Sequence, residues 1–188
     1  MPAPPPTLQG LIRDALAAAH PCHLYGLVDA AMCIDLVTDA EDMSGAKAQS
    51  LFLPDAREAL RSVAPYLVSI SPTSDFLDRW AARFGTNSGI LMLSTASTDA
   101  LHAHLRRTFV VADEEGQEYF FRYYDPRVLR PFMPTCTSTQ LEEFFGPVRE
   151  FAVESDDGLS LHRYRMERGS LAHTSHRLTL ERARSMAP

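Results

Sequence analysis

Cysteine is scarce in this sequence. The chain of 188 residues has three cysteines, Cys22, Cys33 and Cys136. Their odd number and irregular spacing argue against the disulfide framework that stabilises many small secreted proteins. No two of them form a CxxC pair, so a cysteine-based zinc knuckle is not expected either. We therefore expect reduced thiols and a cytoplasmic protein.

Long apolar runs are also missing. No run approaches the roughly 20 residues that a membrane-spanning helix needs, so we expect no membrane partner. The N-terminal sequence MPAPPPTLQG has no basic region followed by an apolar one, which favours a proline-rich lead-in over a signal peptide. An apolar fraction of 45% and a charged fraction of 22% are typical of a soluble globular chain with a real core.

Positive charge is in deficit, and Lys47 is the only lysine. The net charge of −6 argues against nucleic acid as the main partner. The charge is also uneven, because residues 1–60 carry −5 and residues 158–188 carry +4.

The familiar motifs of catalysis and nucleotide binding are absent: there is no GxSxG, GxxxxGK[ST] or GxGxxG. Cys22 and His23 are adjacent in a predicted strand and would point to opposite faces. His102 and His104 lie two residues apart on a predicted helix, whereas a metal-binding pair sits best at i and i+4. We therefore expect no metal, no cofactor and no nucleophile–base pair.

What the sequence does contain is an alternation of helices and strands. Strands are predicted at His23–Ala31, Tyr66–Ile70 and 89–95, and the polar stretch 41–50 is predicted as a loop. Helices are predicted at 7–19, 32–40, from Pro54 or Asp55 to 63, at 72–84 and at 97–107. This order predicts an α/β (mixed α+β) protein with a central mixed sheet, some parallel pairing, and helices packed on the sheet.

The pattern changes after residue 107. A hairpin is predicted around Glu114–Gln117, short helices follow from Pro126 and at 138–145, and a second hairpin turns at Asp156-Asp157-Gly158. The tail from His173 is ambiguous between strand and helix. We predict one α/β domain over residues 1–148, with residues 149–188 as a short C-terminal extension packed on it.

The stretch FFRYYDPRVLRPF (Phe120–Phe132) gathers arginine and aromatic side chains. In a continuous strand, Arg122 and Tyr124 would share one face with Phe120. Asp125 would then cap a helix that begins at Pro126, with Arg127 in its first turn. This cluster is either a fold-organising network or a partner-binding surface. Asp29, at the end of a predicted strand, is either a ligand-binding residue or a helix cap.

Arginine also marks the C-terminal region. Arg163 and Arg165 alternate with Tyr164 and Met166, so a strand would expose both arginines on one face, with Arg168 following. One interpretation is a partner-facing basic tail. The other is that these arginines neutralise the acidic N-terminal half of the same chain.

Two segments carry a family resemblance: LRRTFVVADEEGQEYFFRYYDPRVLRPFMPT and FFGPVREF. Together they resemble the type VI secretion adaptor, or effector-chaperone, family, whose common domain was long catalogued only as a domain of unknown function. The residues that match its pattern are Arg106, Phe121, Arg122, Tyr124, Asp125, Pro126, Arg127, Val128, Leu129, Phe145, Gly146 and Pro147. Upstream, LYGLVDAA matches at Tyr25, Leu27, Asp29 and Ala31, and APYLVSI matches a further strand. The ordered resemblance covers about Leu24 to Val148.

The resemblance implies a cytoplasmic, non-enzymatic protein. Such a protein binds a toxic effector and helps to load it onto the spike, the valine-glycine-repeat protein. Many members carry a longer helical C-terminal lobe, whereas only about 40 residues follow the F-G-P run here. Two other functions stay open: an immunity-type toxin-binding protein, and a hydrolase with a site near Asp29, His102, Arg122 and Asp125.

Overall fold

The computed structural model describes residues 4–52, 60–112 and 115–179. Its helices are α1 (Leu8–Ala18), α2 (Ala30–Asp42), α3 (Phe76–Ala82), α4 (Thr98–Arg107), α5 (Pro126–Phe132) and α6 (Ser138–Phe145). Its strands are β1 (His23–Asp29), β2 (Ala46–Ser50), β3 (Pro65–Ile70), β4 (Gly89–Ser94), β5 (Val110–Ala112), β6 (Glu118–Phe120), β7 (Val148–Glu154), β8 (Ser160–Glu167) and β9 (Ser170–Arg177).

Seven strands form one sheet in the order β2-β3-β1-β4-β7-β8-β9, and β5 and β6 form a separate hairpin. The predicted α/β class, with helices on a central sheet, is confirmed. The expected parallel pairing is wrong, because every pairing in the described residues is antiparallel.

The strand directions explain this difference. β1 and β2 run in the same direction and are joined through α2, but β3 lies between them. In the same way, β3 and β4 run in the same direction around α3, and β1 lies between them. The unit β3–α3–β4 therefore has the parallel direction that the sequence predicts, with β1 inserted, whereas the first two predicted strands, β1 and β3, are antiparallel neighbours.

The stretch predicted as a loop at 41–50 contains β2, so that prediction is wrong. β2 is an edge strand with the sequence AKAQS, and only Ser50 is buried. An edge strand with one partner has little apolar patterning, which is why its sequence is typical of a loop. The N-terminal part of the helix predicted from Pro54 lies outside the described residues, and Arg61–Val63 is a 3₁₀ turn.

Two apolar cores lie on the two faces of the sheet. On one face α1, α2 and α3 bury residues such as Ile12, Leu36 and Trp80. On the other face α4, α5 and α6 bury Leu105, Leu129 and Phe144 against the sheet. β1 and β4 lie at the centre, and all six residues of β4 are buried.

Local signals placed several elements correctly. Thr7 and Ser97 cap α1 and α4 by accepting backbone hydrogen bonds from Gly10 and Ala100. β7 and β8 form the predicted second hairpin, and residues 173–177 of the ambiguous tail lie in β9, the last strand of the sheet. No helix among the described residues has the length and apolarity needed to cross a bilayer.

Candidate functional site

Asp29 lies at the end of β1 and is completely buried. Its Oδ1 accepts a hydrogen bond of 3.0 Å from the backbone nitrogen of Ala31, which makes it the N-cap of α2. Its Oδ2 accepts a hydrogen bond of 2.7 Å from Nη2 of Arg122. The structure thus shows the helix-capping role for Asp29, and adds an ion pair across 93 residues of sequence.

Arg122 covers this buried carboxylate from outside. Its side chain is 46% exposed, and its guanidinium carbon lies 5.6 Å from the ring centroid of Tyr124, within the range of a cation–π contact. The hydrogen bond to Asp29 is the main reason why the pKa of Arg122 is raised. Burial raises the pKa of Tyr124, so its ring stays a neutral phenol beside the arginine.

The predicted alternation of faces along residues 120–125 is wrong. β6 ends at Phe120, and the chain then turns, with Tyr123 donating to the carbonyl of Phe121 and Asp125 donating to that of Arg122. Because the turn has no two-residue period, Tyr123, Tyr124 and Asp125 are all buried.

Asp125 caps α5 as predicted. Its Oδ1 accepts from the backbone nitrogen of Arg127 at 2.9 Å, and both oxygens accept from the Arg127 guanidinium. Burial alone would raise the pKa of Asp125, but the hydrogen bonds from Arg127 outweigh it and hold that pKa below its usual value. Asp29, Arg122, Tyr124, Asp125 and Arg127 thus lie together, and we call them the arginine–carboxylate cluster.

An aromatic row leads away from this cluster. The ring of Phe109 stacks on Tyr124 with centroids 5.8 Å apart and an interplanar angle of 16°. The same ring also lies 5.4 Å from Phe120 and 5.7 Å from Phe52. Sequence reasoning missed Phe52 and Phe109, because they flank the elements that showed clear periodicity.

Beside the aromatic row is a cavity of about 320 Å³, which we call the apolar groove. It is lined by Leu51, Phe52, Leu60, Arg106, Phe109, Val110 and Phe120. Arg106, from the last turn of α4, is the one charged residue in this lining. It makes no hydrogen bond or ion pair with any described residue.

The β5–β6 hairpin exposes apolar side chains on both of its faces. Val110 and Phe120 are cross-strand partners on the groove side and are 40% and 73% exposed. Val111 and Tyr119 are partners on the opposite side and are 43% and 53% exposed. The two strands of this hairpin have six residues in all, and four of these residues expose large apolar side chains.

The F-G-P run packs into the fold. Phe145 is buried against Phe151, with ring centroids 5.0 Å apart, and Gly146 ends α6 with a φ of +46°. A side chain at Gly146 would collide with the ring of His104. The carbonyl of Pro147 accepts a hydrogen bond of 2.9 Å from Ser94.

The two histidines of α4 are tied to backbone carbonyls. Nε2 of His102 donates to Ser50 at 2.9 Å, and Nε2 of His104 donates to Phe144 at 3.0 Å. Burial lowers the pKa of His104. Among the described residues His102 makes no hydrogen bond to Asp29 or Asp125. The described residues also contain no group of three or more potential metal ligands.

The tail arginines are not exposed together as expected. Arg163 is only 11% exposed and forms two hydrogen bonds, of 2.6 and 2.8 Å, to the buried carboxylate of Glu150 on β7. Arg165 is 38% exposed and lies 3.5 Å from Glu167. Of the three arginines Arg163, Arg165 and Arg168, the exposed one is Arg168, in the turn between β8 and β9. Arg163 is therefore neutralised within the chain, because β8 pairs with a strand that carries a buried glutamate.

The model of one protein family matches residues 24–143, and it is described as Domain of unknown function (DUF4123). Because the match covers well over half of the chain, the protein belongs to this family. Searches of curated proteins and of solved structures gave no match.

Proposed function

We propose that the protein is a non-enzymatic adaptor of a type VI secretion system. It binds a secreted effector in the cytoplasm and helps to load it onto the valine-glycine-repeat spike protein. The observation that carries the proposal is the exposed apolar hairpin beside Arg106, which has no hydrogen-bond or ion-pair partner among the described residues. Apolar and arginine side chains on one surface are typical of protein interfaces, and large exposed apolar patches mark interaction sites.

Two further observations support an adaptor. The chain belongs to the family described as Domain of unknown function (DUF4123), and Asp29, Arg122 and Asp125, which carry the resemblance to the effector-chaperone pattern, fold into one cluster. In this cluster each carboxylate is engaged by an arginine and a helix N-terminus. Such carboxylates stabilise the backbone that carries β6 and α5, and so hold the hairpin in place.

Co-expression with the product of the neighbouring open reading frame tests this proposal. We expect a stoichiometric complex that forms without ATP and that also retains the spike protein when all three chains are present. Deletion of the gene should abolish secretion of the effector and leave the producing cell resistant to it. Self-intoxication on deletion, with secretion intact, would instead identify an immunity protein.

A further inference from the structure

The apolar groove exposes apolar side chains of the described residues that line it. A two-stranded hairpin is marginally stable in water unless something packs on it. Phe109 is buried under the groove side of this hairpin, whereas Phe120 above it is 73% exposed. An aromatic side chain exposed to this extent next to a cavity of about 320 Å³ leaves apolar area that a partner can bury.

The lining also defines the chemistry of the occupant. Six of the seven lining residues are apolar, and the seventh is Arg106, which has no partner among the described residues. An unpaired guanidinium at an apolar wall favours a ligand that combines apolar side chains with a carboxylate, which arginine binds in a bidentate manner.

The shape favours a helix over an extended strand. β5 and β6 are three residues long each, so their free edges offer few backbone groups for an added strand. The cavity is walled by side chains, which is how grooves receive the apolar stripe of an amphipathic helix. A second copy of this chain fits poorly, because a two-fold contact through the groove would bring two Arg106 side chains close together.

We propose that the apolar groove receives an amphipathic helix of the effector. The helix places apolar side chains against Phe109, Val110 and Phe120, and an aspartate or glutamate against Arg106. This inference rests on the proposed adaptor function and adds the surface and the chemistry of recognition to it.

Two substitutions test the groove in the complex with the effector. Phe120→Ala removes an exposed aromatic wall, and Arg106→Glu reverses the charge that binds the carboxylate. Each should raise the Kd of the complex, measured by isothermal titration, by about tenfold or more. Matched controls are Arg107→Glu, the same charge reversal on an exposed neighbour in α4, and Leu159→Ala, an exposed apolar residue in the β7–β8 turn. The controls should change the Kd by less than about threefold.

A partner-free measurement separates failure of the groove from failure of the adaptor function. The fluorescent probe 1-anilinonaphthalene-8-sulfonate combines an apolar ring system with an anion, so it should bind the isolated folded protein in the groove. Its binding should weaken in both Phe120→Ala and Arg106→Glu and persist in the two controls. Circular dichroism and urea unfolding verify that each variant is folded.

Three results would overturn the inference. The first is an effector complex that both groove variants form as tightly as the wild type does. The second is an equal loss of binding in Arg107→Glu and Arg106→Glu, which would indicate a diffuse charge effect. The third is a wild-type dimer that Phe120→Ala converts to a monomer while effector binding is unchanged. If the wild type forms no complex with the effector, the adaptor proposal fails, and the probe measurement alone decides whether the groove binds apolar anions.

Discussion

Removing Arg122 should destabilise the protein, because it uncovers the carboxylate of Asp29. A carboxylate and a guanidinium about 4 Å apart attract each other by about 4 kcal/mol at an effective dielectric constant near 20. Arg122 is about half exposed, so solvent screens part of this attraction, and we discount it to about 2 kcal/mol. After the substitution Arg122→Met, Asp29 keeps the hydrogen bond from Ala31 but loses its only ion-pair partner among the described residues.

The expected result is a loss of about 2 kcal/mol in the free energy of unfolding at pH 7, measured by urea denaturation. A double-mutant cycle isolates the energy of interaction between Asp29 and Arg122. Asp29→Asn can keep the helix cap without the charge, so Arg122→Met should cost much less in that background. Arg165→Met is the matched control, because Arg165 is 38% exposed, its partner Glu167 is 60% exposed, and the buried Glu150 nearby keeps its hydrogen bonds from Arg163.

The control should cost less than about 1 kcal/mol. If the free energy of unfolding of Arg122→Met lies within about 0.5 kcal/mol of the wild-type value, the ion pair between Asp29 and Arg122 contributes little to stability. The same conclusion would follow from an equal cost in the wild-type and Asp29→Asn backgrounds, since the loss would then come from the packing of Arg122 on Tyr124.

Three further predictions follow from the local geometry. Asp125→Ala should lower the free energy of unfolding by about 1 kcal/mol through the lost cap of α5, whereas Asp125→Asn, which can still cap, should cost less in the same urea assay. Gly146→Ala should lower the thermal unfolding midpoint more than Gly116→Ala does. Both glycines have positive φ, but only at Gly146 would a side chain meet the His104 ring. Equal midpoints for the two variants would refute this prediction. Burial holds the pKa of His104 below its usual value. As the pH drops below about 6.5, the unfolded chain therefore binds a proton at His104 that the folded protein does not, and the free energy of unfolding should fall. His104→Gln should flatten this slope, and an unchanged slope would assign the effect to another group.

Elements with local signals were predictable from the sequence. The cap at Asp125 is found where the sequence places it, and Thr7 and Ser97, the first residues of two predicted helices, cap α1 and α4, because a cap depends on a few adjacent residues. The turn at Asp157-Gly158 also depends on a few adjacent residues. β2 was not predictable, because an edge strand with a single partner needs no apolar face.

Features that depend on distant pairing were predicted incorrectly or missed. The insertion of β3 between β1 and β2 is a property of the whole sheet, and no window of sequence contains it. The pairing of Arg163 with Glu150 requires the register of β7 and β8, and that of Arg122 with Asp29 requires the docking of a turn on the end of β1. For the candidate site, the sequence indicated a cluster of Arg122, Tyr124, Asp125 and Arg127, but it did not indicate the apolar groove, which is lined by four separate segments of the described residues.

The central position of β4 has a consequence for how the chain is made. One edge of β4 pairs with β1, and the other pairs with β7, which begins at Val148. While the protein is being synthesised, β4 leaves the ribosome more than 50 residues before this second partner does. During that interval a strand that is apolar except for Ser94 has an open edge to which another chain can pair. Pairing of β7 with β4 therefore closes this edge and removes a site at which the nascent chain could aggregate.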